Sequence, residues 1–357
     1  MEKQILSLIE EKKYTRLREC LEELNPADIA LILEEAELKD LPVVFRILPK
    51  ELAAEVFVEM DRDLQQHLIE SFSNTELKDV IDELFMDDMV DIIDEMPASV
   101  AQRILKQTDS KTRNMVNKLL AYPESSAGSV MTTEYLSIKK SMTVDEAFDS
   151  IRNNAVDTES IYTCYVTDRS RKLLGVITIR DLLLADKSAV VYDIMDENVI
   201  FANTLTDREE VVSLFDKYDL YVLPVVDNEN RLVGIITVDD VIDVMQEEAT
   251  EDIEMMAAIL PSEKSYLKTG VFATFKARIP WLMFLMISAT FTGAIISSFE
   301  GKLSKWMALI AFIPMLMGTG GNSGSQSSVT VIRCLSTGEI EFKDIWRVIW
   351  KELRVSI

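Results

Sequence analysis

Carboxylates are the residues of this chain whose type and spacing could do chemistry. In the stretch DDVIDVMQEEATEDIEMM (239–256), Asp240, Asp243, Glu247, Glu251 and Glu254 recur at three- and four-residue steps. On a helix they share one face, thickened by Asp239, Glu248 and Asp252. Like charges so placed oppose the helix by roughly a few tenths of a kcal/mol per pair. An earlier run, FMDDMVDIIDEM (85–96), alternates acids with apolar residues, which places Asp87, Asp88, Asp91 and Asp94 on much of one exposed helical face. Each cluster reads either as a solvated face or as a cation-binding one. Carboxylate oxygens supplemented by water suit hard ions such as Mg²⁺. Bound divalent cations would neutralise the 239–256 helix and let two acidic surfaces approach; their loss would drive those surfaces apart. No nucleophile–base pair, HExxH or Walker loop is present, and the single histidine, His67, reads as a surface or packing residue. The chain is therefore not expected to be an enzyme.

A second constellation is a duplicated ending, LLGVITIRDLL (173–183) and LVGIITVDDVI (232–242). It pairs Thr178 with Asp181 and Thr237 with Asp240. Such a hydroxyl can donate to a phosphate and such a carboxylate can accept from a ribose diol; the same residues can instead cap the helix that follows. Each ending comes after a β-branched-rich strand, IYTCYVTD (161–168) or YVLPVVD (221–227), and a polar turn, DRSRK or DNENR. Val130–Met131 and Ile194–Met195 open the two blocks. The reading per block is strand, helix, strand, turn, strand, helix. These paired endings resemble tandem CBS domains, a Bateman module. That resemblance implies ATP or AMP as a candidate ligand, with Thr178, Asp181, Thr237 and Asp240 matching the nucleotide-facing positions.

Upstream, residues 1 to about 125 read as helical and repetitive. LNPADIALIL (24–33), LPKELAAEVF (48–57) and MPASVAQRIL (96–105) share a hydrophobic residue, a proline and aliphatic residues on a helical period; FSNTELKDVI (72–81) fills the gap with Ser or Asn in place of Pro. A spacing of about 24 residues predicts a solenoid of short helices, each proline in a first turn where its missing N–H is not needed. Such an array is a binding or spacer surface.

Downstream lie two uncharged runs, 279–299 and 306–332, each long enough to cross a hydrocarbon core of about 30 Å. The second is interrupted by GTGGNSGSQSS. There Gly318, Gly320, Gly321 and Gly324 suit a helix that bends, packs closely or lines a path, while Asn322 and its serine neighbours supply uncharged oxygens. The basic residues Lys264, Lys268, Lys276 and Arg278 precede the first run, and Arg333, Lys343, Arg347, Lys351 and Arg354 follow the second. The connecting loop offers Lys302 and Lys305. This distribution places both ends in the cytoplasm. The 357 residues carry 61 Asp and Glu against 37 Lys and Arg, a net charge of −24, and the excess lies before the first run. That balance excludes nucleic acid as a partner and favours cations. Cys20, Cys164 and Cys334 read as reduced, buried thiols. No cleaved signal peptide is visible at the Met1 end.

The order of parts is similar to that of the MgtE family of magnesium channels or transporters. Its most specific stretches here are EEATEDI (247–253), PMLMGTGGNSGSQS (314–327) and IRCLSTGEI (332–340). The expected fold is multidomain, α and α+β with a membrane part: a helical superhelix (1–127), CBS domains at 128–192 and 193–245, a connecting or "plug" helix (246–270), and a partial transmembrane domain (271–357) holding a helical hairpin. The resemblance implies a homodimer in the plasma membrane, multi-pass, with cytoplasmic N-terminal domains that sense Mg²⁺ and shut the pore when it is plentiful; other divalent cations are further candidates. It implies Asp88, Asp91, Asp219, Asp240, Asp243, Glu248, Glu251 and Asp252 as metal ligands and Asn322 as a pore-facing group. The family has five transmembrane helices per subunit, so this chain is expected to stop after two. The alternative is a membrane-tethered CBS regulator that answers adenine nucleotide without conducting ions.

Overall fold

The structure is a computed structural model and describes residues 2–155, 158–261, 269–303, 305–336 and 338–355. Two of the flanking cations, Lys264 and Lys268, and part of the expected 246–270 helix lie outside the described residues. The chain divides into two compact units, Met1–Ile242 and Asp243–Ile357.

The first unit opens with ten short helices: α1 (Glu2–Glu10), α2 (Tyr14–Leu21), α3 (Pro26–Glu34), α4 (Leu41–Phe45), α5 (Lys50–Val58), α6 (Arg62–Ser71), α7 (Asn74–Ile81), α8 (Met86–Glu95), α9 (Ala98–Gln107) and α10 (Ser110–Leu119). The repeat is regular: the N-caps of α3, α5, α7 and α9 are Asn25, Pro49, Ser73 and Pro97, each 24 positions after the last. Pro26 occupies the first turn as expected, but Pro49 and Pro97 sit one place earlier, at the cap itself, where extended ψ is required and no N–H is needed. In the proline-free repeat, Ser73 and Glu76 close a capping box. The odd helices stack on one another through Ile29, Val56, Phe57 and Leu77, and Phe72 packs its ring 5.5 Å from that of Phe45. The Arg103 guanidinium donates to the carbonyls of Ile69 and Phe72, holding the end of α6 to α9. His67 is half-buried, its Nε2 3.1 Å from the Leu38 carbonyl, a packing role.

Two three-stranded sheets follow. After α11 (Ala127–Val130), the first block is β1 (Tyr135–Lys139), α12 (Val144–Asn154), β2 (Ser160–Thr167), β3 (Leu173–Thr178) and α13 (Ile179–Leu184). After α14 (Val191–Ile194), the second is β4 (Ala202–Asn203), α15 (Arg208–Tyr218), β5 (Val222–Val226), β6 (Leu232–Thr237) and α16 (Val238–Met256). In each sheet the first pair of strands is parallel and the second antiparallel. The hairpin turns repeat atom for atom. Asp168 Oδ1 accepts the N–H groups of Ser170 and Lys172 at 2.7 and 2.9 Å; Asp227 Oδ1 accepts those of Glu229 and Arg231 at 2.8 and 2.9 Å. The residue leading out of each turn, Arg171 or Asn230, adopts positive φ.

The segments that open the blocks in sequence do not join their own sheets. Thr132 bridges Ile235 of β6, and Asp196 bridges Val176 of β3. The crossing is close-packed. A Cβ on Gly234 would fall 2.7 Å from Met131 Sδ, and one on Gly175 would fall 2.8 Å from Met195 Sδ. Each block's sheet is thus bridged by the segment that leads into the other, which ties the pair together.

α16 begins in the first unit and continues into the second, so the last helix of the second block and the acidic connecting stretch are one element. The second unit also holds α17 (Val271–Ser298), α18 (Glu300–Leu303), α19 (Met307–Ser336) and α20 (Ile345–Val355). Among the described residues α17 is the one helix long and apolar enough to cross a membrane. It starts before the expected 279, carrying Lys276 and Arg278 in its first turns and Pro280 within. α19 has the length, but its polar half lowers its hydropathy. The GTGGNSGSQSS stretch does not break it: the helix runs through unbroken, because small residues can keep i→i−4 bonds where nothing crowds them. A Cβ at Gly318, Gly320, Gly321 or Gly324 would meet nothing within 4 Å. Of the thiols, Cys164 is buried, which pushes its pKa up to about 12, while Cys20 and Cys334 are half-buried; all three are free.

Candidate metal site

The first unit contains a cleft of about 320 Å³ lined by Pro26, Glu55, Val58, Glu59, Asp87, Asp88, Glu159, Asp239 and Asp240. Four parts of the chain supply its acids, and α3 adds Pro26. α5 carries Glu55 and is capped at its C-terminus by Glu59, α8 presents Asp87 and Asp88 from its first turn, Glu159 precedes β2, and α16 offers Asp239 and Asp240 from its own first turn. Two helix N-termini therefore point their positive dipole ends into a pocket whose charged lining residues are all acids.

Charge crowding shows in the acids themselves. Asp87 is 7% exposed. Burial, then the charges of Asp240, Asp88 and Glu159, lift its carboxyl well above the usual range. Burial followed by Asp240 and Asp239 pushes Asp88 up to about 6, and burial followed by Asp240, Asp88 and Asp239 pushes Glu159 up to about 7. Glu159 Oε2 is buried without a hydrogen-bond partner, an acceptor facing a deficit of positive charge. Among the described residues no three or more acids, histidines or cysteines already converge on one point. A small hard ion entering the cleft would therefore keep part of its water shell between the carboxylates, as Mg²⁺ does by preference.

This geometry corrects the expectation of a single exposed face on α8. Asp91 and Asp94 are exposed, but Asp87 is buried and Asp88 half-buried, because the helix turns its first-turn acids toward α16. The cleft brings Asp88 and Asp240 together. It does not include Asp91 or Asp219; the latter caps α15 in the left-handed conformation, φ 50°, and is exposed. Asp243, Glu248, Glu251 and Asp252 follow on α16 within the second unit, Glu248, Glu251 and Asp252 half-buried and Asp243 exposed. Asn322 is exposed on α19. Glu55, Glu59 and Glu159 were missed from sequence: Glu51, Glu55 and Glu59 do recur at four-residue steps along α5 and its C-cap, a spacing that could have marked them, whereas no local spacing marks Glu159.

The two Thr–Asp pairs differ. In both, the threonine hydroxyl donates to the aspartate Oδ2 three residues on, and the aspartate accepts the threonine N–H, at 3.2 Å for Thr178 and 3.3 Å for Thr237. For Thr178, whose hydroxyl oxygen also accepts the Asp181 N–H at 3.2 Å, this is the helix-capping role that sequence had left open. Thr178 and Asp181 are exposed, whereas Thr237 is 6% exposed and Asp240 faces the acidic cleft.

Comparison with known proteins agrees with this layout. Residues 24–125 match the MgtE intracellular N domain, 127–188 and 191–247 the CBS domain, and 313–357 a divalent cation transporter model. The magnesium transporter MgtE of Thermus thermophilus is 39% identical over 345 residues, 96% of this chain and 76% of the relative. The chain belongs to the MgtE family. The Bacillus subtilis MgtE is 35% identical over 353 residues, covering 99% of this chain and 78% of its own length. A crystal structure of the cytosolic domain of the Mg²⁺ channel MgtE in complex with ATP superposes with a TM-score of 0.65 at 39% identity, over 68% of this chain and all of that one. As an MgtE-family chain with a transporter segment, this is a membrane protein of mixed α and α+β architecture.

Proposed function

We propose that this protein is a subunit of a Mg²⁺ transporter or channel whose acidic cleft senses intracellular Mg²⁺ and gates the membrane part. The observation that carries this reading is the crowding of Asp87, Asp88, Glu159, Asp239 and Asp240 into one cleft with no basic lining residue. Without a divalent cation the four elements that frame the cleft repel one another. With Mg²⁺ between them, carboxylate–water–ion contacts draw α5 and α8 toward α16. Because α16 continues past Ile242 into the second unit, its position is the natural output of the cleft. Asp88 and Asp240 are the central ligands. Asp243, Glu248, Glu251 and Asp252 are further ion-binding positions along the same helix; Asp91 and Asp219 serve ions outside the cleft, and Asn322 is a pore-facing group of α19. The working unit is a homodimer in the plasma membrane, multi-pass with the first unit cytoplasmic, divided at 1–127, 128–192, 193–245, 246–270 and 271–357. Limited proteolysis of the full chain across a Mg²⁺ series at fixed ionic strength tests the reading. Protection that rises with Mg²⁺ and is lost in D88N and D240N supports it; a digest indifferent to Mg²⁺ overturns it.

A second reading concerns nucleotide. The ATP complex of a 39% identical MgtE cytosolic domain supports adenine-nucleotide binding by this chain also. Here the accessible pair Thr178 and Asp181 is the better candidate. Thr237 is covered, and Asp240 lies among carboxylates that would repel a triphosphate. ATP binding modifies the sensor in this reading and does not replace Mg²⁺ as its ligand.

A further inference from the structure

The helix α20 presents a face that the cleft and the spans do not use. Trp346, Ile349, Trp350 and Leu353 recur at steps of three and four, form one stripe, and are 78%, 50%, 59% and 51% exposed. Beside that stripe run Arg347, Lys351 and Arg354, all exposed. The Arg354 guanidinium lies 5.8 Å from the Trp350 ring centroid, so cation and indole occupy one ledge. The remaining side faces protein: Val348 and Glu352 are half-buried, and Glu352 Oε2 accepts the Ser327 hydroxyl of α19 at 2.6 Å.

That bond sets the depth of α20. Ser327 lies some 20 residues along α19 from Met307, about 30 Å of helix, which is about the thickness of the hydrocarbon core. The Ser327–Glu352 contact therefore falls where α19 leaves the hydrocarbon, the level at which indole rings settle and lysines and arginines reach headgroups. Three cations against one carboxylate on α20 oppose the charge of a chain that is −24 overall. The ledge is thus complementary to an anionic lipid surface.

We propose that α20 lies in the plane of the membrane interface, its Trp346–Trp350 stripe in the outer acyl region and Arg347, Lys351 and Arg354 on acidic phospholipid headgroups. It is neither a water-exposed linker nor the start of a span. The inference rests on α17 and α19 being in the bilayer and is independent of Mg²⁺ sensing.

The test uses the full chain in vesicles of phosphatidylcholine, with and without phosphatidylglycerol. The phosphatidylcholine is brominated either near the headgroup end of the acyl chain or near its terminus. In the W281F/W306F variant, emission comes from Trp346 and Trp350 alone. Shallow bromines should quench it about twofold more than deep ones, more so with phosphatidylglycerol, and that lipid dependence should fall in R347Q/K351Q/R354Q. The W346F/W350F variant reports Trp281 and Trp306, so it shows independently whether the spans are inserted. It also yields the α20 signal by difference from the unsubstituted chain should the first variant misfold. With the spans inserted, absence of α20 quenching in both lipids means that water or a second protein surface covers the stripe, and overturns the proposal. Stronger quenching by deep bromines makes α20 part of a span and equally overturns it.

Discussion

Glu134 Oε2 accepts the backbone N–H of Met86 at 3.0 Å and the Thr132 hydroxyl at 2.7 Å. A side chain from the entry to the first CBS block thus caps α8, whose own N-cap, Phe85, offers no side-chain acceptor. This cap ties the first turn of α8, and with it Asp87 and Asp88, to the CBS pair.

Removing that cap should loosen the N-terminal helices. E134A is expected to cost about 1 kcal/mol, the value of a helix cap. It should raise the Mg²⁺ concentration needed for half-maximal proteolytic protection, since the acids of α8 would no longer be held toward α16. Urea denaturation and the protection series measure the two effects separately.

Neutralising Glu159 separates repulsion from ligation. E159Q should stabilise the first unit in chelator, where the charge at this site is unfavourable, and should weaken Mg²⁺ protection several-fold. D219N is the contrasting variant. Asn tolerates the left-handed backbone at that cap, and the residue lies outside the cleft. Protection of the cleft elements by Mg²⁺ should be unchanged, as read by the same proteolysis.

The pH dependence in chelator has a definite sign. Asp88 and Glu159 have folded-state pKa values of about 6 and about 7, above their ordinary 3.8 and 4.5. A group raised in the folded state contributes stability that is complete below its unfolded pKa and is lost as pH rises through the folded one. Thermal stability without divalent cations should therefore fall between about pH 4 and 7. Glu76, held at about 2 chiefly by its bond to Arg46, works in the opposite sense and at lower pH. Mg²⁺ should restore what is lost at pH 8 and do little at pH 5. A midpoint that rises steadily from pH 5 to 8 in chelator would contradict the crowded cleft.

For nucleotide, the two Thr–Asp pairs predict different outcomes. D181A should abolish stabilisation by ATP, and T237A should leave it in place while lowering the melting temperature through loss of the buried hydroxyl's bond to Asp240. Calorimetry with and without ATP in chelator distinguishes them; equal loss in both would return the second pair to candidacy.

Much was legible because it is periodic. The 24-residue recurrence of Asn25, Pro49, Ser73 and Pro97 and the duplicated hairpins at Asp168 and Asp227 are local signals, and local capping and turn chemistry produce them directly. The exchange of leading segments was not legible. In sequence Met131 leads into the first block and Met195 into the second, and only the space over Gly234 and Gly175 shows that each packs on the other block's sheet.

The acids follow the same division. Sequence alone determined that α8 and α16 each carry a stripe of carboxylates, because helical period is a property of one segment, and it determined the apolar length of α17. Tertiary structure decided which acids meet: it buried Asp87, set Asp88 opposite Asp240, brought in Glu59 from the end of α5 and Glu159 from a segment with no acidic pattern, and left Asp219 outside. The reason is that electrostatic energy depends on distance through space and on burial. Both are set by how four separate elements pack, and neither is encoded in the spacing along any one of them.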